Sequence, residues 1–168
     1  MMNYFEFYDI PLSFTPDEEG LKTKFFQKSR EFHPDFYTNS SEEEKQLALS
    51  QSSLNNTAYK TLTNREARTK YVLELEGLLS EGEKDELSQD FLFEMMDLNE
   101  ELEGFLAKNN KSEIEEIKNQ IGTMIQNIED QNQPIYKEYP EKKDQLQTIK
   151  DNYFKSKYLA RIISRITM

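Results

Sequence analysis

The fold is decided by residues 15–44, TPDEEGLKTKFFQKSREFHPDFYTNSSEEE, which begin one helix, end it and begin the next. Thr15-Pro16-Asp17-Glu18 offers a capping residue, a proline suited to the first helical position and the acid of a capping box. His33-Pro34-Asp35 must end that helix, because proline disfavours helical geometry at the residue before it and has no N–H to donate. Ser40-Ser41-Glu42-Glu43-Glu44 then provides two overlapping capping boxes. The stretch therefore predicts two helices joined by a short turn.

Outward from this stretch, apolar residues recur at helical spacing along nearly the whole chain, which has five glycines and five prolines. The pattern predicts helices at about 4–9, 16–32, 41–62, 64–76, 88–108, 112–131 and 142–167. Pro134 and Pro140 predict a turn at 132–141, and the polar stretch after Gly77 predicts a linker. The expected fold is all-α, with an N-terminal unit (1–76), a linker (77–87) and a C-terminal three-helix bundle (88–168).

The composition restricts the function. The 168 residues include 21 Lys and Arg against 32 Asp and Glu, a net charge of −11, which disfavours binding to nucleic acid or to anionic membranes. Without cysteine and with one histidine, the chain offers no thiolate or multi-histidine metal site. It contains neither an apolar run of membrane-spanning length nor a secretory start. We therefore expect a cytoplasmic protein that is not an enzyme and binds neither metal nor cofactor.

The helix before the His-Pro-Asp turn is unusually basic for this acidic chain. It carries Lys22, Lys24, Lys28 and Arg30 and has no acid between Gly20 and Arg30. One interpretation is a solvated basic face beside a turn. The other is a docking surface for an acidic partner, with the turn as a second contact. A general-base pair of His33 and Asp35 is disfavoured, because no nucleophile accompanies them and a proline separates them.

A tripeptide is weak evidence alone, but several segments around it match one family. The aromatic start Tyr4-Phe5-Glu6-Phe7-Tyr8, the basic helix and the His-Pro-Asp turn resemble a J domain. NTAYKTL (56–62) is similar to the N-x-A-Y-x-x-L of its third helix, and RTKYVLELEG (68–77) to the R-x-x-Y-x-L-x-L-x-G of the HscB branch. FLFEMMDLNEEL (91–102) is similar to F-L-M-E-x-x-E-L-R-E-E-L in the same branch. The resemblance to the HscB co-chaperones of iron–sulfur cluster assembly thus covers the chain almost end to end.

The resemblance implies a role for each part of the N-terminal unit. Residues 1–76 are expected to form a J domain that binds a DnaK/HscA-type chaperone and stimulates its ATP hydrolysis. The implied contacts are His33, Pro34, Asp35, Lys22 and Arg30. The chain departs from the family pattern at Phe36, where a basic residue often follows the tripeptide, and at Asn99, where an arginine is usual.

The first helix of the bundle carries a second candidate surface. Phe91, Met95, Leu98, Leu102 and Phe105 form a seam with alternating spacings of four and three, which is typical of packing against other helices. Leu92, Phe93 and Met96 lie off that seam, beside Asn99, Glu100 and Glu103, and this predicts a protein-binding patch. The alternatives are that these residues pack on the J domain, or that the bundle is wider than its seam, so that the buried face of this helix includes them.

By resemblance, the patch binds an IscU-type iron–sulfur scaffold protein. The implied residues are Leu92, Phe93, Met96, Asp97 and Glu100, with Lys157 and Tyr158 of the last helix added. Tyr158 has an alternative role in the core, because apolar residues cover nearly the whole circumference of that helix. The expected function is therefore a co-chaperone that delivers the scaffold to the chaperone. A J-domain protein with another client, whose bundle is structural or dimerising, is the alternative, and an adaptor without a chaperone role is a more distant one.

Overall fold

The structure is a computed structural model that describes residues 2–167, and it confirms the predicted all-α class. Its α-helices are α1 (Tyr4–Phe7), α2 (Glu18–Glu31), α3 (Glu42–Thr63), α4 (Arg65–Leu75), α5 (Gln89–Ala107), α6 (Lys111–Lys137) and α7 (Leu146–Thr167). Two 3₁₀ turns cover Pro34–Tyr37 and Lys143–Gln145, and residues 2–167 contain no strand. The chain divides into two compact units, Met1–Leu75 and Glu76–Met168. Within the described residues, no helix is both long and apolar enough to cross a membrane.

Side-chain caps fix the helix starts. Ser41 Oγ accepts the N–H of Glu44 at 3.2 Å, and the Glu44 carboxylate accepts the N–H of Ser41 at 2.9 Å, which completes a capping box.

The predicted start of α2 is wrong by two residues. Asp17, rather than Thr15, is the cap and accepts the N–H of Gly20 at 3.0 Å. Thr15 instead donates its N–H to Ser13 Oγ at 3.0 Å and belongs to the preceding turn.

The core of the N-terminal unit encloses one polar hub. Asn55 of α3 is 1% exposed. Its amide nitrogen donates to the carbonyl of Phe25 and to Ser29 Oγ, both on α2 and both at 3.1 Å. Its amide oxygen accepts the hydroxyl of Tyr8, directly after α1, at 2.7 Å. The side chain thus joins three helical segments. The apolar residues with at most 2% exposure in this unit are Phe5, Tyr8, Phe14, Leu21, Ala58, Leu62, Val72 and Leu73.

Arg68 and Tyr71 of α4 also hold backbone groups in this unit. The Arg68 guanidinium donates from Nε to the carbonyl of Phe14 at 2.7 Å and from Nη1 to the carbonyl of Leu62 at 2.8 Å. Leu62 lies in the last turn of α3, where carbonyls lack partners within the helix. The Tyr71 hydroxyl accepts the N–H of Tyr4 at 3.0 Å, and the two rings stack at 4.4 Å. Arg68 and Tyr71, the two named residues of the R-x-x-Y segment, therefore have a structural role in the fold of the N-terminal unit.

The C-terminal unit is built on the predicted α5 seam. Phe91, Met95, Leu98 and Leu102 are buried in one cluster with residues of α6 and α7, whose buried members are Ile117, Ile121, Ile128, Leu159 and Ile162. At one place the interface is polar. Asn152 of α7 donates to Asn132 of α6 at 2.8 Å, and both asparagines are buried. Paired polar groups of this kind restrict how the helices can align.

The turn predicted at residues 132–141 is misplaced. α6 continues through Pro134 to Lys137, and the connection to α7 begins at Glu138. The physical reason is the burial of Asn132, Ile135 and Tyr136, which extend the inward-facing stripe of α6 past the proline. Packing of these side chains outweighs the local cost of about 3 kcal/mol for a proline within a helix.

Residues 77–87, for which the sequence predicts a linker, contain no helix but are held to α7. Glu83 pairs with Lys150 at 2.5 Å, and Asp85 lies 3.8 Å from Lys157. The hydrogen bond from the Lys150 ammonium keeps the pKa of the Glu83 carboxyl below its ordinary value. Leu79 is buried in the same segment. The segment is therefore an ordered part of the C-terminal unit.

Candidate functional site

The His-Pro-Asp turn begins where α2 ends. His33 has an extended backbone (φ −67°, ψ 132°), as expected before proline, and its N–H donates to the carbonyl of Arg30 at 3.3 Å. Pro34 starts the 3₁₀ turn that continues to Tyr37. The Tyr37 hydroxyl donates back to the carbonyl of Glu31 at 3.0 Å, so the turn is tied to the helix that precedes it.

Within this turn, the histidine orders the backbone and the aspartate faces solvent. His33 Nδ1 accepts the backbone N–H of Asp35 at 3.3 Å and lies 3.6 Å from Asp35 Oδ2. Thr38 Oγ1 donates to the carbonyl of Asp35 at 3.0 Å. The Asp35 side chain is nevertheless 87% exposed. The geometry presents a carboxylate on a fixed backbone, which suits recognition of a cationic or hydrogen-bond-donating group on another protein.

The basic residues of α2 divide between two environments. Lys22 and Arg30 are exposed, as is Phe26, while Leu21 is buried. Lys28 is partly buried, with its ammonium 4.5 Å from the centre of the Phe7 ring. Lys22 and Arg30 are thus basic residues of α2 that are exposed on the surface of the unit that carries the turn.

The apolar residues predicted to lie off the α5 seam are exposed in the structure. Leu92 is 38%, Phe93 62% and Met96 64% exposed, whereas the seam residue Met95 is fully buried. At about 100° per residue, the centre of this triplet lies about 150° around the helix from the seam. Asp97 and Glu100 are exposed beside it. We call Leu92, Phe93, Met96, Asp97 and Glu100 the α5 patch.

Lys157 and Tyr158 of α7 are partly buried, and the Tyr158 hydroxyl accepts a hydrogen bond at 3.2 Å from the amide nitrogen of Asn99, beside the α5 patch. The Tyr158 ring packs edge-on against Phe91, with centroids 5.9 Å apart, and it borders the hydrophobic core. Lys157 Nζ lies 3.8 Å from Asp85 and 5.5 Å from the centre of the Tyr153 ring. The Tyr158 ring thus borders the core while its hydroxyl contacts Asn99, and its role in scaffold binding stays a prediction.

One residue beside the α5 patch was not predicted. Arg165 of α7 donates from Nη1 to Asn99 Oδ1 at 3.0 Å and pairs through Nη2 with Glu103 at 2.5 Å. A guanidinium thus stands next to Asn99, the position where the family pattern has an arginine. Local sequence gave no signal for this contact, because the two residues lie 66 positions apart.

No group of three or more His, Cys, Asp or Glu side chains in residues 2–167 is arranged to hold a metal ion. The exposed turn and the exposed apolar patch are instead surfaces that suit contacts with other proteins.

Comparison with known proteins agrees with this architecture. Residues 87–167 match the family model described as the HSCB C-terminal oligomerisation domain. The co-chaperone protein HscB homolog of Vibrio cholerae serotype O1 (strain M66-2) is 37% identical over 107 residues, which are 63% of each chain. This match spans under two thirds of that relative's length. Co-chaperone protein HscB of Buchnera aphidicola subsp. Acyrthosiphon pisum (strain Tuc7) is 36% identical over 128 residues, 74% of this chain and 72% of the relative.

Solved structures extend the similarity to both units. Chaperone HscB from Vibrio cholerae has a TM-score of 0.75 and 27% identity, and the alignment covers 99% of this chain and 96% of that one. The human co-chaperone protein HscB has a TM-score of 0.77 and 29% identity, with 98% and 80% of the two chains covered. These structural matches agree with the N-terminal unit that carries the His-Pro-Asp turn, with the three-helix bundle and with the sequence relatives. They show that the chain belongs to the HscB family of co-chaperones.

Proposed function

We propose that this protein is a co-chaperone of iron–sulfur cluster assembly that stimulates ATP hydrolysis by a DnaK/HscA-type chaperone and delivers an IscU-type scaffold protein to it. The observation that carries the proposal is the presence of two exposed surfaces of different chemistry, a charged turn and an apolar patch, in separate units of one chain. Two binding surfaces on one chain raise the effective concentration of a client at the chaperone.

The chaperone-binding role is assigned to the turn and to the exposed cations of α2. Pro34 fixes the backbone, and His33 holds the N–H of Asp35, so little conformational entropy remains to be lost when a partner binds Asp35. Lys22 and Arg30 attract an acidic surface and align it with the turn. These residues perform no bond chemistry. They act by stabilising one conformation of the chaperone over another.

The client-binding role is assigned to the α5 patch. Its three apolar side chains are exposed on a well-packed helix, and two carboxylates border them, which is the arrangement of an interface core with a polar rim. A methionine and a phenylalanine supply large and adaptable contact area. The IscU-type scaffold is the client proposed for this patch.

The chaperone half is tested by single-turnover ATP hydrolysis with a DnaK/HscA-type chaperone, with and without an IscU-type scaffold. The wild-type protein should accelerate hydrolysis, and the scaffold should increase that effect. Asp35→Asn should abolish stimulation while circular dichroism shows an unchanged helix content. Glu43→Gln, which neutralises another exposed acid in the same unit, is the matched control and should stimulate normally. Full stimulation by a folded Asp35→Asn variant would refute the assignment of the turn.

The client half is tested by measuring scaffold affinity. Leu92→Ala combined with Met96→Ala should weaken binding by about 1.5–3 kcal/mol, because the two partly exposed side chains together have about one side chain of apolar surface left to bury in the complex. Leu106→Ala is the control for the leucine. It lies on the same helix with almost the same exposure, 39% against 38%, but about 21 Å further along the axis. Equal affinity for the double variant and the wild type would exclude the patch as the scaffold site.

A second candidate role for the bundle is self-association, which the description of its family model as an oligomerisation domain favours. Sedimentation velocity of the wild type and of the Leu92→Ala, Met96→Ala variant separates the two roles. A concentration-dependent dimer that this variant loses, together with absent scaffold binding, would favour dimerisation over client delivery.

A further inference from the structure

Two arginines of α7 lie on one face of that helix, next to the α5 patch. Arg161 and Arg165 are about one helical turn apart, and their side chains are 61% and 44% exposed. Tyr158 shares this face with Arg161, and its hydroxyl accepts a hydrogen bond from Asn99 at 3.2 Å. The face therefore meets α5 at Asn99, which follows the patch residue Met96 by less than one turn.

Two contacts with α5 hold Arg165 in this place. Its Nη1 donates to Asn99 Oδ1 at 3.0 Å, and its Nη2 pairs with Glu103 at 2.5 Å. Glu103 lies about two turns after Met96, on nearly the same side of α5. A guanidinium has more N–H donors than these two contacts use, and the exposed part of the side chain leaves room for another acceptor. The chain thus presents an oriented cation towards the C-terminal end of the patch.

Arg161 extends this cationic edge by one turn. Its Cζ lies 5.4 Å from the centre of the Tyr158 ring, and its Nη2 lies 3.4 Å from Asp85. Both arginines are therefore paired with acids of their own chain, in ion pairs that solvent reaches. Pairs of this kind contribute little to folding, so a carboxylate of a binding partner can replace Glu103 or Asp85 at small cost.

The two edges of the α5 patch have opposite charge. At about 100° per residue, Asp97 and Glu100 lie about 100° and 40° around α5 from Met96. Asn99, which contacts Arg165, lies about 60° from Met96 in the opposite direction. A client on the patch would therefore meet carboxylates along one edge and guanidinium groups along the other. Such an arrangement of charge fixes the orientation of a partner.

We infer that Arg161 and Arg165 bind carboxylate groups of the client that occupies the α5 patch, so that the client site extends from α5 onto α7. The inference rests on the proposed function and adds an acidic segment to the chemistry of the client. Charge complementarity supports this occupant, and so does continuity, because Asn99 joins the arginine face to the patch. In the free protein, Glu103 and Asp85 compete with the client for the two guanidinium groups.

The test measures the affinity of the full chain for an IscU-type scaffold by isothermal titration calorimetry. Arg165→Met should raise the dissociation constant roughly three- to tenfold, because the client loses a charged contact at a partly exposed site. Adding Arg161→Met should raise it further. Glu103→Gln should lower the dissociation constant roughly two- to fivefold, because glutamine removes the charge that competes for Arg165.

The matched control is Lys118→Met on α6. Lys118 is 42% exposed and pairs with Glu115 of its own helix at 3.7 Å, so this change also removes an exposed, paired cation of the same unit. It should alter the dissociation constant by less than about twofold. Circular dichroism should show equal helicity for all variants.

The two variants of one ion pair distinguish the possible roles. If Arg165 only holds α7 against α5, Arg165→Met and Glu103→Gln break the same contact and should both weaken binding, which would overturn the inference. Weaker binding for Glu103→Gln alone would assign this edge to a cationic segment of the client and overturn it as well. If Arg165→Met binds like Lys118→Met while the Leu92→Ala, Met96→Ala variant loses affinity, the inference is wrong and the proposed function stands. If the wild type binds no scaffold, the proposed function fails, and the arginine edge fails with it.

Discussion

Arg68→Met removes a guanidinium that holds two backbone carbonyls in the interior of the N-terminal unit. Arg68 is 8% exposed, and its donors lie 2.7 Å from the Phe14 carbonyl and 2.8 Å from the Leu62 carbonyl. Methionine has a similar length and an apolar stem, so it fills much of the same space but donates no hydrogen bond. Both carbonyls would lose the donor that Arg68 supplies.

The expected loss follows from these contacts. Hydrogen bonds from a charged donor contribute about 1.5–3 kcal/mol each, so removing two gives a destabilisation of about 3–5 kcal/mol, allowing for partial rescue by water. Since the Leu62 carbonyl belongs to the last turn of α3, the end of that helix should fray as well.

The assay is equilibrium unfolding in urea followed by circular dichroism at 222 nm, with hydrogen exchange to locate the effect. With an m-value of about 1–2 kcal/mol per molar, the transition of the N-terminal unit should move down by about 1.5 M or more. Slowly exchanging amides of α3 and α4 should lose protection, whereas those of the C-terminal unit should keep it.

The matched control is Lys70→Met on the same helix. It removes an exposed cation that lies 3.7 Å from Glu74, an interaction worth about 0.5 kcal/mol or less. If Arg68→Met costs no more than Lys70→Met, the carbonyl contacts of Arg68 contribute little and the argument from buried hydrogen bonds is refuted.

Three further predictions concern single contacts. NMR titration should place the carboxyl pKa of Glu83 below the ordinary 4.5, and Lys150→Met should return it toward 4.5. The pairing with Lys150 therefore stabilises the fold fully above pH 4.5, and this stabilisation is lost as the pH falls through the lowered pKa. Ile121→Ala, at a fully buried position of α6, should cost about 2–5 kcal/mol in thermal unfolding, and a smaller loss would mean that the bundle closes around the cavity. Ser41→Ala should cost about 1 kcal/mol as a lost cap. It should leave the pKa of Glu44 below its ordinary value, because the largest cause is the backbone N–H of residue 41, which alanine retains; a return to 4.5 would contradict this.

Local signals in the sequence were sufficient for much of the fold. Ser41 caps α3, as one of the two overlapping capping boxes predicts, because a capping hydrogen bond depends on residues within one turn. The turn at Pro34 follows from the covalent geometry of proline, which acts on its immediate neighbour. The α5 seam and the exposed triplet opposite to it follow from the helical repeat.

The misplaced turn after α6 arose where distant contacts outweigh local preference. Pro134 should end a helix, but burial of Ile135 and the hydrogen bond between Asn132 and Asn152 keep α6 continuous. The approach of Arg165 to Asn99 has no local signature either, because it joins α7 to α5. These contacts depend on how the helices rotate in the bundle, which the apolar pattern defines only coarsely.

The polar hub at Asn55 has a consequence for the offset between α2 and α3. If α2 shifted by one residue, about 1.5 Å along its axis with a turn of about 100°, the carbonyl of a neighbouring residue would take the place of the Phe25 carbonyl. Ser29 Oγ, a side-chain acceptor, would have no such replacement, and the Asn55 amide would lose one of its two acceptors inside the core, at a cost of about 1–3 kcal/mol. A purely aliphatic seam tolerates such slips better, because one apolar side chain can replace another. The hydrogen bond between Asn55 and Ser29 therefore favours one alignment of α2 against α3, and this alignment sets where the His-Pro-Asp turn lies along α3.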